Sequence, residues 1–417
     1  MSILISLALL MYLAYRGISV LVLAPLLALL AALLGGDTRL LAMYTQVFMT
    51  GLGGFLVKYF PLFLLGAIFG RLMNDSGSAE SIARAIVARI GAERAIMALV
   101  LSCAILTYGG VSVFVVAFAA YPVGAALFRE ADIPKRLIPG SLVLGSATFT
   151  MTALPGTPAI QNAIPMPYFG TDAFAAPWLS VIVAIIMFVG GMWWLTRRAA
   201  KARRASEGYG HHPSDVRIHA DEQTPPPLLI ALAPIILVIA LNFVFTRWVI
   251  PGMDTSYLAD ATFGRVTIND VRGVWSLIAS LLLAITVAII VHWKRWRNLT
   301  QSVNEGTMGS LLPIFNTASE VGYGSVIAAL AAFAVIREAI VGLSPGNPLI
   351  SEAIAVNIMA GITGSASGGL SIALNMLGKT YLELGASADI SPQLLHRVAA
   401  VASGGLDSLP HNGAVIT

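Results

Sequence analysis

Long apolar runs broken by short polar clusters make up most of the chain. The lengths of the charge-free stretches predict the architecture, because a helix needs about 20 apolar residues to cross the hydrocarbon. Residues 17–36, 173–196, 228–246 and 273–293 each suit one crossing helix, and residues 40–73 suit another, with Lys58 and Arg71 near its ends. Residues 1–36 read as two spans hinged at Arg16 and Gly17; the run lacks a basic start and is too long for a signal peptide.

Three runs do not fit a single helix. From Ala95 to Phe128 there are 34 residues without a charge, interrupted by TYGGVS at 107–112. The apolar arms, 12 and 16 residues, are each too short to cross, which predicts a re-entrant hairpin entering and leaving on one face. From Leu137 to Thr171 there are 35 uncharged residues interrupted by TALPGTPAIQN at 152–162. Pro155 and Pro158 each remove a helix hydrogen bond and Gly156 loosens the backbone between them, which predicts an unwound segment near 153–162 at mid-membrane. The run from Ala353 to Gly378 repeats the hairpin pattern around TGSASGG at 363–369.

The two halves echo each other. GGVS (109–112) matches GGLS (368–371), ADI (131–133) matches ADI (388–390), and LPGT (154–157) matches LPHN (409–412), at offsets of 259, 257 and 255. Three motifs in one order at nearly constant offset form an internal repeat. The expected organisation is an N-terminal pair (1–43), a first repeat (44–196), a polar linker (197–227), two connecting helices (228–297) and a second repeat (298–417) with its own break near 406–413. After Pro155 the first repeat continues for 41 residues, whereas seven follow Pro410, so the second repeat reads as truncated.

Composition agrees with a membrane protein: 57% of residues are hydrophobic, 11% are charged against about 25% in soluble domains, and mean hydropathy is +0.82. The net charge of +4 lies in a few loops and is no argument for nucleic acid. RRAAKARR (197–204) and KRWR (294–297) are expected in the cytoplasm, and the charge-balanced residues 247–272 outside. Arg129, Lys135 and Arg136 then put the base of the first hairpin inside. LGASADISPQ (384–393), with no Lys or Arg, puts the base of the second outside if residues 306–341 cross once. The repeats are thus expected to be inverted, giving an all-α polytopic membrane protein of the kind common among secondary transporters. The single cysteine, Cys103, excludes an internal disulfide, and the spacing of His211, His212 and His219 fits no strong metal motif. Neither a metal nor a cofactor is expected.

Breaking a helix in mid-membrane frees backbone N–H and C=O groups, and half-helix N-termini suit an anion. Gly109, Gly110, Gly368 and Gly369 would let a ligand approach the backbone, with hydroxyls at Thr107, Ser112, Ser365, Ser367 and Ser371 to bond it. Gly145, Ser146, Ser403 and Gly404 read as packing residues. Ionisable groups at membrane depth are suspects for proton coupling, here Asp407, His411 and Glu320.

GSASGGLSIAL (364–374) and DSLPHNGAVIT (407–417) resemble the gluconate permease (GntP) family of bacterial symporters. The resemblance implies proton-coupled uptake of a small carboxylate such as gluconate, a related sugar acid, 3-hydroxybutyrate or D-serine. It implies an elevator-type movement of the hairpin domain in the bacterial inner membrane, with a homodimer as a further expectation. It places Ser365, Ser367, Gly368, Gly369, His411 and Asn412 at the site. Thr107, Gly109, Gly110, Thr157 and Asn162 follow only through the internal repeat. The competing readings are a sodium-coupled di- or tricarboxylate carrier, a membrane-embedded serine hydrolase using a tip serine with His411, and a channel.

Overall fold

The computed structural model describes residues 2–111, 113–210, 225–344 and 347–406. Among them the regular structure is helical, with no strand. Four helices are long and apolar enough to cross a membrane: Leu40–Asp75, Pro177–Arg204, Leu228–Gly252 and Ile268–Val291. Each falls on a run expected to cross. Leu40–Asp75, at 36 residues, carries Lys58 near its middle and not near an end.

Two stretches depart from the crossings read in the sequence. Ser2–Tyr15 and Val20–Leu34 are 14 and 15 residues long, about 21 to 23 Å at the usual rise of ~1.5 Å per residue, against a hydrocarbon of about 30 Å. The hinge falls where expected, at Gly17 with φ of 83°, but it joins a pair of short helices in place of two full spans. Residues 306–341 do not form one straight crossing either, because Leu299–Ala329, the long helix, turns through 94° into Ala332–Gly342. Leu330 takes an extended backbone there (φ −78°, ψ 136°) and ends the helical ladder.

The two hairpins are present as helix pairs. Ala95–Tyr108 packs on Val113–Glu130 (hairpin 1), and Pro348–Thr363 on Ala366–Ser387 (hairpin 2). Tip 1 closes because Gly110 takes φ of 94°, letting the Val111 N–H reach back to the Leu106 carbonyl at 3.1 Å. Tip 2 closes at Gly364, with φ of 64°. Ser365 then starts the next arm, its hydroxyl accepting from the Gly368 N–H at 3.0 Å.

The bases of the hairpins share one turn. Asp132 and Asp389 both have positive φ, 49° and 54°. The following isoleucines bond back alike, Ile133 N–H to Phe128 O at 2.9 Å and Ile390 N–H to Gly385 O at 2.8 Å. The GGVS and GGLS motifs, in contrast, do not occupy matching places. Gly109 and Gly110 close the first arm of hairpin 1, whereas Gly368 and Gly369 lie in the first turn of the second arm of hairpin 2.

The bases also stand at opposite ends of Pro177–Arg204. Beyond its C-terminus, Glu207 pairs with Arg136 at 2.6 Å and the Tyr209 N–H donates to Asp132 at 2.9 Å. At its N-terminus, the Ala176 N–H donates to Gln393 Oε1 at 3.2 Å.

The long helix and Leu40–Asp75 pack along a seam of glycines. A Cβ added at Gly322 would lie 2.8 Å from Phe48 O, one at Gly306 would lie 2.8 Å from Ile68 Cα, and one at Gly51 would collide with the Ser325 side chain. Hydrogen at these positions is what lets the backbones meet.

Candidate functional site

After Ile138–Ser146 the chain unwinds, as the prolines dictate, into three single turns, Phe149–Thr152, Ile160–Ala163 and Met166–Phe169. The backbone groups released here are taken up one by one. The Gly156 N–H donates to Ala173 O at 2.8 Å, Pro155 O accepts from the Tyr108 hydroxyl at 2.7 Å, and Gly156 O accepts from Asn242 Nδ2 at 3.3 Å. Asn162 Nδ2 donates to Thr157 O and Ala173 O at 2.9 and 3.0 Å.

That orientation leaves Asn162 Oδ1 as an acceptor. His396 Nε2, 3.1 Å away, therefore donates to it, and His396 Nδ1 accepts from the Thr171 hydroxyl at 2.6 Å. Beside it Arg397 is fully buried and gives its guanidinium to carbonyls: Thr152 O at 2.9 Å, Ala175 O at 3.2 and 3.3 Å, and Ala173 O at 3.5 Å. Thr157 and Asn162, both fully buried, are thus part of a closed hydrogen-bond network.

Tip 1 rests on this break. A Cβ at Gly110 would lie 3.0 Å from Pro158 Cγ, and the room beside Gly109 is filled by Ile235. Thr107 is buried, with no hydrogen-bond partner for its hydroxyl among the described residues. Ser112 lies outside the described residues. Gly145, expected to be a packing residue, abuts Cys103 of hairpin 1, where an added Cβ would come within 2.7 Å of the cysteine Cβ.

Tip 2 faces the long helix. Ser367 Oγ lies 3.4 Å from both Thr317 Oγ1 and Ser365 Oγ. Glu320, buried at 3% exposure, rests against the first turn of the second arm: a Cβ at Gly368 would collide with its Oε2. The room at Gly369 is occupied by the Ala360 backbone, so this glycine serves the approach of the two arms. The structure therefore brings Glu320 together with Ser365, Ser367 and Gly368. A carboxylate at a helix start is favourably placed, and here the chain supplies its own. Asp407, His411 and Asn412 lie outside the described residues. The chain approaches them beside hairpin 2, with Gly405 packed on Asn357.

His396 and Arg397 were not singled out from the sequence, although two ionisable groups inside LLHRVAAVA are a usable signal. Glu352 was also missed. It is fully buried in hairpin 2, and neither carboxylate oxygen has a hydrogen-bond partner among the described residues.

Comparison with known proteins adds a family. The profile described as GntP family permease matches residues 1–366. A Bacillus subtilis (strain 168) protein described as "Uncharacterized transporter YxjC" is 45% identical over 428 residues, covering 100% of this chain and 90% of that protein. A Haemophilus influenzae "Uncharacterized transporter" is 27% identical over 353 residues, 84% of this chain and 74% of that one. The crystal structure of the Alcanivorax borkumensis YdaH transporter is similar in fold, with a TM-score of 0.55 at 14% identity over 88% of this chain and 79% of that chain.

Proposed function

The chain belongs to the GntP permease family, and from that premise we propose that it imports a small hydroxy or sugar carboxylate, of the gluconate, 3-hydroxybutyrate or D-serine class, by proton symport across the bacterial inner membrane. It is a multi-pass membrane transporter, and its relatives' shared role as transporters sets aside the hydrolase reading. The bases of the two hairpins at opposite ends of Pro177–Arg204 support inverted repeats whose hairpins enter from opposite faces, the arrangement an elevator movement would use.

The observation that carries proton coupling is Glu320 against tip 2. A substrate carboxylate arriving at Ser365, Ser367 and Gly368 meets a carboxylate already there. Two carboxylates sharing a buried site do not both stay ionised, because like charges at that range in low dielectric repel strongly. Taking up a proton at Glu320 removes the repulsion, so substrate and proton bind with positive coupling, typically about 1–3 kcal/mol for linked sites. Asp407 and His411 remain further proton-coupling candidates of the same proposal, and Asn412 a further substrate contact.

The test is uptake of radiolabelled gluconate, 3-hydroxybutyrate and D-serine by proteoliposomes under an imposed pH or sodium gradient. An inward proton gradient should drive accumulation. Glu320→Gln should abolish it while sparing counterflow, since the neutral side chain keeps the site open to the anion. Accumulation driven by sodium alone would instead support the di- or tricarboxylate carrier reading.

A further inference from the structure

We propose that a cavity around Lys58 is a second binding site for a small carboxylate, separate from both hairpin tips. The cavity measures about 390 Å³, within the ~300–1,000 Å³ usual for small-molecule sites. Its walls come from four places: Leu40–Asp75, the long helix through Val321 and Ser325, the second arm of hairpin 2 through Asn375, and the unwound segment through Tyr168.

Lys58 is the one charged residue among the described residues of this lining, and Gln46, Thr50, Ser325 and Asn375 add neutral donors and acceptors. Lys58 stands near the middle of the 36-residue helix Leu40–Asp75 and is exposed, and a charged side chain on a membrane-spanning helix is costly to keep without a role. Among the described ion pairs none involves Lys58. Its ammonium stands 5.6 Å from the centre of the Tyr168 ring, within cation–π range, and both residues line the cavity.

The surroundings are fixed in place. Asn375 Nδ2 donates to Ser325 Oγ at 2.9 Å, and the Tyr59 hydroxyl donates to Ile164 O at 2.8 Å. Gly54 leaves the wall below Lys58 open, with nothing within 4 Å of where its Cβ would stand. An ammonium with amides and hydroxyls around it, and no acid among the described lining residues, matches a carboxylate carrying hydroxyl or amino groups. This is the electrostatic opposite of tip 2, where Glu320 stands. Val321 and Ser325 follow Glu320 on the same helix, about 100° and 140° round it, so an anion held at Lys58 sits within about two turns of Glu320 along the axis but on another face of the helix.

The test uses purified full chain and an amine-acylating reagent, with modification of each lysine read by peptide mass spectrometry. Gluconate, 3-hydroxybutyrate, D-serine, citrate and phosphatidylglycerol are added in separate arms. At least one small carboxylate should slow acylation of Lys58 several-fold while leaving Lys379, a lysine on the exposed side of hairpin 2, unchanged. Asn375→Ala should weaken that protection. Protection by the lipid alone, or by none of the carboxylates, overturns the proposal. Sodium-driven uptake would sink proton symport and leave this result standing.

Discussion

The unwound segment after Ile138–Ser146 and the tip of hairpin 2 are built from the same kinds of residue and use them in opposite ways. In the unwound segment the freed carbonyls recruit donors from distant elements: Tyr108 of hairpin 1, Asn242 of Leu228–Gly252, and Arg397 of Pro392–Ala402. His396 and Asn162 complete the closure. At tip 2 the Ser367 hydroxyl stands 3.4 Å from those of Ser365 and Thr317, beyond the usual O–H···O distance of about 2.5–3.0 Å, while Thr317 donates to Pro313 O at 3.1 Å. A carboxylate borders them. A break whose freed carbonyls are held by donors from several elements is a joint, even with Gln161 Oε1 buried there and unpartnered among the described residues; one whose hydroxyls stand apart, as around Ser367, has room to exchange partners.

The largest expected effect tests the joint. Arg397→Ala strands the Thr152 and Ala175 carbonyls at about 1–3 kcal/mol each, in addition to leaving a cavity. The melting temperature in detergent should fall steeply, and an unchanged value would erase the contrast. Asn162→Ala, which removes donors from Thr157 O and Ala173 O and the partner of His396, should cost about 1–3 kcal/mol in the same assay. At the tip, Ser365→Ala removes a helix cap worth about 1 kcal/mol. Its stability cost should stay below that of Asn162→Ala while carboxylate uptake drops by a larger factor. A stability loss equal to that of Asn162→Ala would make tip 2 a second joint.

The smallest effect separates pH acting on the fold from pH acting on transport. His292 lies just beyond the end of Ile268–Val291, its Nδ1 donating to Ala288 O and its Nε2 accepting from the Ser78 hydroxyl, both at 2.9 Å. Burial holds the ring below its ordinary value of 6.5, with Arg295 adding to the effect and the Ala288 bond opposing it. The neutral ring fits the fold, so the unfolded chain takes the proton first and stability is lost as pH falls through about 6.5. A modest decline in melting temperature between about pH 7 and pH 5 should flatten in His292→Asn, with the pH response of uptake unaltered.

Both helix pairs could be read from the sequence, since glycine-rich interruptions inside long charge-free runs mark where one helix stops and the next begins. The turns at Asp132 and Asp389 could be read because ADI recurs with the same geometry. The likeness of GGVS to GGLS misled, because the letters do not distinguish a glycine needed for positive φ, as at Gly110, from one needed for clearance, as at Gly369 against Ala360. Arg397 was hidden for a different reason: its role depends on carbonyls from the other half of the chain, and no local pattern records that. Glu320 was noticed as a charge in a crossing helix, but its place beside tip 2 is set by tertiary packing alone.

The glycine seam between Leu40–Asp75 and the long helix has a mechanical consequence. Backbones this close, with Phe48 against Gly322 and Ile68 against Gly306, can neither roll nor slide past each other, so the two helices act as one rigid post. Glu320 is mounted on that post, and the serines of tip 2 are not. In the proposed symport the carboxylate would then be uncovered by a swing of the hairpin away from a stationary group, which would tie the moment of proton exchange to the position of the tip.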